Sequence, residues 1–117
     1  MNMTYGDTSK VKKLCKIDDG DATRNNEIDT ALAFADALVQ MIYEAASQTV
    51  ESTVPEIVKN GASEIGAYYI LRSQKPEEAK EHLQHGIWLC ESYVKTKYCK
   101  SYVAPIKTSQ VYSEQSN

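Results

Sequence analysis

No stretch of about 18 uniformly apolar residues occurs in this chain, so no membrane-spanning helix is expected. Met1 to Asp7 lacks the apolar centre of a secretory leader, and none is expected. Basic excess is absent as well. Thirteen Lys and Arg against sixteen Asp and Glu leave a net charge of −3, which argues against a general binder of nucleic acid or anionic membrane. The three cysteines, Cys15, Cys90 and Cys99, include no CxxC pair. Cys90 and Cys99 fall on one predicted helix about 13 Å apart, too far to bridge, so reduced thiols acting as small apolar side chains are expected. There is no Gly-rich phosphate loop, no GxSxG and no zinc-finger spacing.

What the chain does hold is helical periodicity, enough for one domain with a modest core. Asp7-Thr8-Ser9 caps a short helix to about Lys16, with Val11, Leu14 and Cys15 on one face. The Lys10-Val11-Lys12-Lys13 cluster reads as a solvated helix face. Asp18-Asp19-Gly20-Asp21 is a polar loop that lacks the later ligands and closing Glu of a calcium site. Asn25-Asn26 caps a second helix, along which Ile28, Ala31, Leu32, Ala35, Leu38, Val39, Ile42, Tyr43 and Ala46 recur at helical spacing. Ser52-Thr53 offers a cap for a third helix, Pro55 to about Ser73, and Pro76 opens a fourth to Tyr98. The third helix carries a seam of Gly61, Ala62, Gly66 and Ala67. Glycine inside a helix costs roughly 0.5–1 kcal/mol relative to alanine, so the seam implies a closely approaching backbone. Ala79, Leu83, Gly86, Ile87, Cys90, Tyr93 and Val94 line one side of the fourth helix, and Trp88 stands off that stripe.

The fold expected is therefore all-α: a small four-helix, bundle-like domain over residues 1–100 followed by an extended C-terminal arm over 101–117. In the arm, Tyr102, Val103, Ile106, Val111 and Tyr112 alternate with polar residues and form no helical stripe. Such a segment builds no core of its own and suits ordering on a partner, for instance as an added strand.

Chemistry-bearing clusters are few. Glu78, Glu81, His82 and His85 share a helix at i, i+3 and i, i+4 spacing, but a carboxylate-bridged di-metal bundle needs Glu-x-x-His on two helices, and no other helix holds a histidine. They read as surface ion pairs. No motif gives a cysteine a histidine base. No catalytic residue, cofactor or metal is assigned.

The order of parts resembles the tailed-phage head–tail adaptor (connector, head completion) family over about Tyr5 to Tyr98. It runs from the Tyr5-Gly6-Asp7-Thr8-Ser9-Lys10-Val11-Lys12-Lys13-Leu14-Cys15 element through an acidic loop and the alanine-rich Ile28-Asp29-Thr30-Ala31-Leu32 helix. The third helix follows, from Val54-Pro55-Glu56-Ile57-Val58-Lys59 to Ala67-Tyr68-Tyr69-Ile70-Leu71, and then Pro76-Glu77-Glu78-Ala79-Lys80. Many such adaptors end soon after the third helix, whereas this chain continues. The resemblance implies a non-enzymatic virion protein at the head–tail junction, made in the host cytoplasm. It implies a ring, commonly of twelve copies, docked on the portal protein and joined to a stopper or tail-completion protein. Viral DNA would pass through without sequence-specific binding, which an acidic chain favours. Aromatic anchors tend to carry interface energy, which selects Tyr68, Trp88, Leu89 and the arm's Tyr102, Val103, Ile106, Val111 and Tyr112 as candidate contacts.

The alternative is a small phage-encoded helical regulator or inhibitor. A DNA-reading version is weak, because the third helix offers only Lys59 and Arg72 as cations. The small-residue seam generates a first test. Gly66→Leu is expected to destabilise the fold by about 1–3 kcal/mol in denaturant unfolding; an unchanged midpoint would place the seam against water.

Overall fold

The computed structural model describes residues 4–99, so the arm and its five candidate contacts, Tyr102, Val103, Ile106, Val111 and Tyr112, lie outside the described residues. Four helices follow one another: α1 (Thr8–Cys15), α2 (Asn25–Glu44), α3 (Glu56–Leu71) and α4 (Pro76–Tyr98), with a 3-10 turn at Ala22–Arg24 before α2. The described residues contain no strand. The domain is all-α, as the periodicity predicts.

Helix starts follow local chemistry, with some departures from expectation. Asp7 caps α1, its carboxylate accepting from the Ser9 amide at 2.9 Å. Pro76 is the first residue of α4, where its missing N–H costs nothing. Pro55 instead stands one step outside α3 in extended backbone, and its carbonyl accepts the first helical bond from Lys59. Asn25-Asn26 and Ser52-Thr53 are not caps: neither α2 nor α3 has a side-chain cap bond. Asp21 takes that role one turn earlier, its carboxylate accepting from the Thr23 amide at 2.9 Å and starting the 3-10 turn that runs into α2.

Two helix stops use the left-handed backbone without glycine. Lys16 has φ 60° and Ser47 has φ 59°. In the first, the Ile17 amide reaches the Lys12 carbonyl at 2.8 Å; in the second, the Gln48 amide reaches Tyr43 at 3.0 Å. Both satisfy carbonyls that a helix end leaves open.

α3 is the axis of the domain, packed by α1, α2 and α4. Val58, Ala62 and Ile65 join Ala35, Val39 and Tyr43 of α2 and Cys90 and Val94 of α4 in the main core. Each large apolar side chain so buried stabilises by about 1.5–3 kcal/mol. Ile70 joins Val11, Ile28, Ala31 and Leu32 in a second cluster beneath α1. The single glycine seam expected from sequence is in fact two contacts on different faces of α3. Gly66 faces α1 and α2, where a β-carbon would stand 3.3 Å from both Leu32 and Val11 side chains. Gly61 faces α4 and meets Gly86: a β-carbon on Gly86 would lie 2.6 Å from the Gly61 carbonyl oxygen, and one on Gly61 would lie 2.9 Å from that of Gly86.

The chain before α1 is stitched to the bundle. The Tyr5 amide donates to Asp36 at 2.9 Å, and the Asp7 amide donates to the Ser63 hydroxyl at 3.0 Å. Gly6 passes where a β-carbon would sit 2.6 Å from Leu32 Cδ2 and 3.2 Å from the Ser63 amide nitrogen. Burial of Asp36 raises its carboxyl against the opposing Tyr5 bond.

Between α2 and α3, Glu51 ties the loop to two helices. Its carboxylate accepts from Tyr43 at 2.5 Å, Tyr93 at 2.9 Å and the Tyr98 hydroxyl. Desolvation works against the charge, but the hydroxyl donors outweigh it and hold the carboxyl at about 2 instead of 4.5. The same bond to Glu51 is the first cause that pushes Tyr98 up to about 12.

Two outcomes follow from this packing. Gly86→Ala is expected to lose about 1–3 kcal/mol in spite of the better helix propensity of alanine, because the nearest obstacle is backbone; Gly66→Ala, whose tightest contacts are side-chain ends at 3.3 Å, should lose less. Equal unfolding midpoints would show that the α3–α4 approach is not a constraint. For Glu51 the folded value lies below the unfolded one, so its stabilisation is complete above pH 4.5 and is lost as pH falls towards 2. Glu51→Gln should therefore cost on the order of 1–3 kcal/mol at neutral pH and flatten the acid limb of the stability curve. An acid limb that is the same in both proteins would refute the assignment.

Candidate functional site

Of the sites weighed from sequence, the acidic loop resolves first. Lys12 is not on a solvated face: it is 6% exposed, and its ammonium donates to the Asp19 and Asp21 carbonyls at 3.1 Å each. The loop that resembles a cation cradle does hold a positive charge, that of the chain's own lysine. Burying that charge is tolerable because two carbonyl dipoles accept it. The available signal was helical spacing, which sets Lys12 next to Val11 and Cys15 on the apolar side, unlike Lys13.

The histidines also differ from a simple surface pattern. Glu64 of α3 receives both: His82 Nδ1 lies 2.6 Å from one carboxylate oxygen and His85 Nδ1 3.2 Å from the other. Glu78 stands 3.9 Å from His82, and no bond joins Glu81 to His85. Glu64, missed in the sequence because it sits on another helix, is thus the hub that ties α4 to α3. Among the described residues no group of three His, Cys, Asp or Glu side chains is arranged to hold a metal ion.

The thiols are set for packing. Burial pushes Cys15 up to about 11 and Cys90 up to about 12, keeping both protonated near neutrality. Cys90 Sγ lies 3.8 Å from the Val58 carbonyl in the core.

What remains open is a surface. A groove of about 350 Å³ runs between α1 and α4 over α3, with Lys10, Lys13 and Leu14 on one wall, Ser63 and Glu64 in the floor and His85 and Leu89 opposite. Trp88 stands at its edge, 60% exposed, its ring stacked on His85 with centroids 6.2 Å apart. Trp88 and Leu89 therefore meet in one place, joined by α1 cations that sequence reading left out. Lys10 pairs with Glu56 at 3.3 Å, whereas Lys13 makes no ion pair among the described residues. Tyr68 is elsewhere: half-buried, with its ring 6.0 Å from Phe34, it is partly covered within the subunit. The arrangement offers an apolar aromatic edge with a positive flank, the chemistry of a protein contact.

No helix among the described residues is long and apolar enough to cross a membrane. Comparison with family models, curated proteins and solved structures gave no match to this chain.

Proposed function

We propose that this chain is a structural head–tail adaptor of a tailed virus, acting as one copy of a ring that docks on the portal and joins it to a stopper or tail-completion protein around the DNA channel. The observation that carries the reading is Trp88, a large aromatic ring left 60% exposed beside an apolar groove. An indole so placed is the typical anchor of a protein interface. The resemblance of the Tyr5–Tyr98 segments to adaptor proteins supplies the identity of the partners. The reading is of a non-enzymatic protein without a cofactor, in line with packed, protonated thiols and histidines already engaged on Glu64. DNA passes through the ring without being read. The acidic net charge supports this, as does Arg72, whose guanidinium lies 3.8 Å over the Tyr69 ring and donates to the Tyr69 carbonyl.

The ring and its neighbours place the protein at the neck of the particle. A small phage-encoded regulator or inhibitor is the other reading, and assembly separates the two. Sedimentation with and without a portal ring from the same genome should show co-sedimentation in multiple copies. Deleting residues 101–117 should leave the helical signal and melting intact while weakening that docking. A full-length chain that ignores the portal ring would remove the adaptor reading, and unfolding of the truncated chain would put the arm in the core.

A further inference from the structure

The groove between α1 and α4 contains polar groups that the body leaves unused. Asn60, half-buried in it, has no hydrogen-bond partner for its side-chain amide among the described residues. Its neighbours are engaged: the Ser63 hydroxyl donates to the Lys59 carbonyl at 2.9 Å and accepts from the Asp7 amide at 3.0 Å, and Glu64 holds both histidines. An amide side chain presents a donor and an acceptor together, which matches the C=O and N–H of an extended backbone. Leu14 and Leu89 supply apolar walls. Lys13, exposed and in no ion pair among the described residues, adds a cation next to Leu14. The site therefore suits an extended peptide with an apolar side chain and, two residues on, a carboxylate on the same side.

The chain carries such a sequence itself. Residues 101–117, outside the described residues, contain Tyr112-Ser113-Glu114, and Glu114 is the segment's only acid. Laid out as an extended strand, Tyr112 and Glu114 fall on one face about 7 Å apart. The reach is sufficient. α4 ends at Tyr98, and its groove residues Leu89 and His85 lie about 14 and 20 Å back along the helix axis. The run from Cys99 to Val111 covers up to about 40 Å when extended, enough to turn back to the groove of the same molecule. A tether of that length holds the segment at an effective concentration on the order of millimolar, so even a modest contact fills the site ahead of a second chain.

We propose that the segment around Tyr112-Ser113-Glu114 docks in the α1–α4 groove of its own subunit, with Tyr112 between Leu14 and Leu89, the Asn60 amide on the segment's backbone and Lys13 paired with Glu114. The groove is then a self-capping site. The segment lies on helices that are already packed, so its release leaves the melting of the body unchanged. Neither a ring nor a portal enters this contact, which stands apart from the adaptor reading.

The test uses the full-length chain without any partner. A carbodiimide, which condenses a carboxylate with a nearby amine, should link Glu114 to Lys13. An equal mixture of unlabelled and nitrogen-15-labelled chains shows by mass whether that link lies within one molecule, as expected, or between two. Trypsin supplies a second readout, cleavage after Lys107. Lys13→Glu and Asn60→Ala, each checked for unchanged melting, should speed that cleavage at least about threefold, because each removes a bond that holds the segment closed. Combining Lys13→Glu with Glu114→Lys restores an opposite pair and should return the rate towards that of wild type. Links between two molecules, or from Glu114 to lysines outside the groove, would overturn the proposal. So would wild-type cleavage as fast as that of the isolated 101–117 peptide, single variants that cleave at the wild-type rate, or a reversed pair that fails to restore protection. Binding to a portal ring is measured separately, so failure of the adaptor reading leaves these outcomes untouched, and their failure leaves that reading standing.

Discussion

The approach of α3 to α4 at Gly61 and Gly86 governs much of the rest. Each glycine's missing side chain makes room for the other's carbonyl, so the two helices come nearer than any pair with β-carbons at those positions could. With that spacing set, Cys90 and Val94 reach Val58, Ala62 and Ile65 in one core, and Glu64 comes within hydrogen-bond range of both α4 histidines. Trp88, off the buried stripe, is left 60% exposed with the His85 ring stacked on it.

Around this axis, polar groups fasten what apolar packing leaves loose. The loop before α3 is secured through Glu51 to three tyrosine hydroxyls, the loop before α2 by the Lys12 ammonium, and the leading segment by Asp36 and Ser63. Each involves a half-buried or buried group, and each closes a connection too polar to pack by itself. These devices maintain the body; Ser63 is the one that also forms part of the groove floor. The α1–α4 groove is what the body leaves open.

Much of this was legible in the chain. The stripe from Ile28 to Tyr43 gave α2 and its buried side, Pro76 marked the start of α4, and Asp7 marked that of α1, because each depends on residues within a turn or two. Trp88 was separable from the core by spacing alone. Two readings went astray because the deciding group lay outside the helix being read. Lys12 looked solvated because its acceptors, the Asp19 and Asp21 carbonyls, are backbone atoms brought round by a loop. Asn25-Asn26 looked like a cap, but Asp21 had already begun the turn. The left-handed stops at Lys16 and Ser47 carry no glycine to announce them.

Sequence alone determined the helical class, the inward stripes and the surplus aromatic on α4, since these follow from local periodicity and the preference of apolar side chains to leave water. Tertiary structure alone decided that the glycines of α3 serve two different neighbours, that Glu64 and Glu51 gather their partners, and that a groove stays open between α1 and α4. Those facts depend on how separate helices are oriented about α3, and orientation is set by side-chain contacts between residues far apart in the chain, which no local pattern encodes.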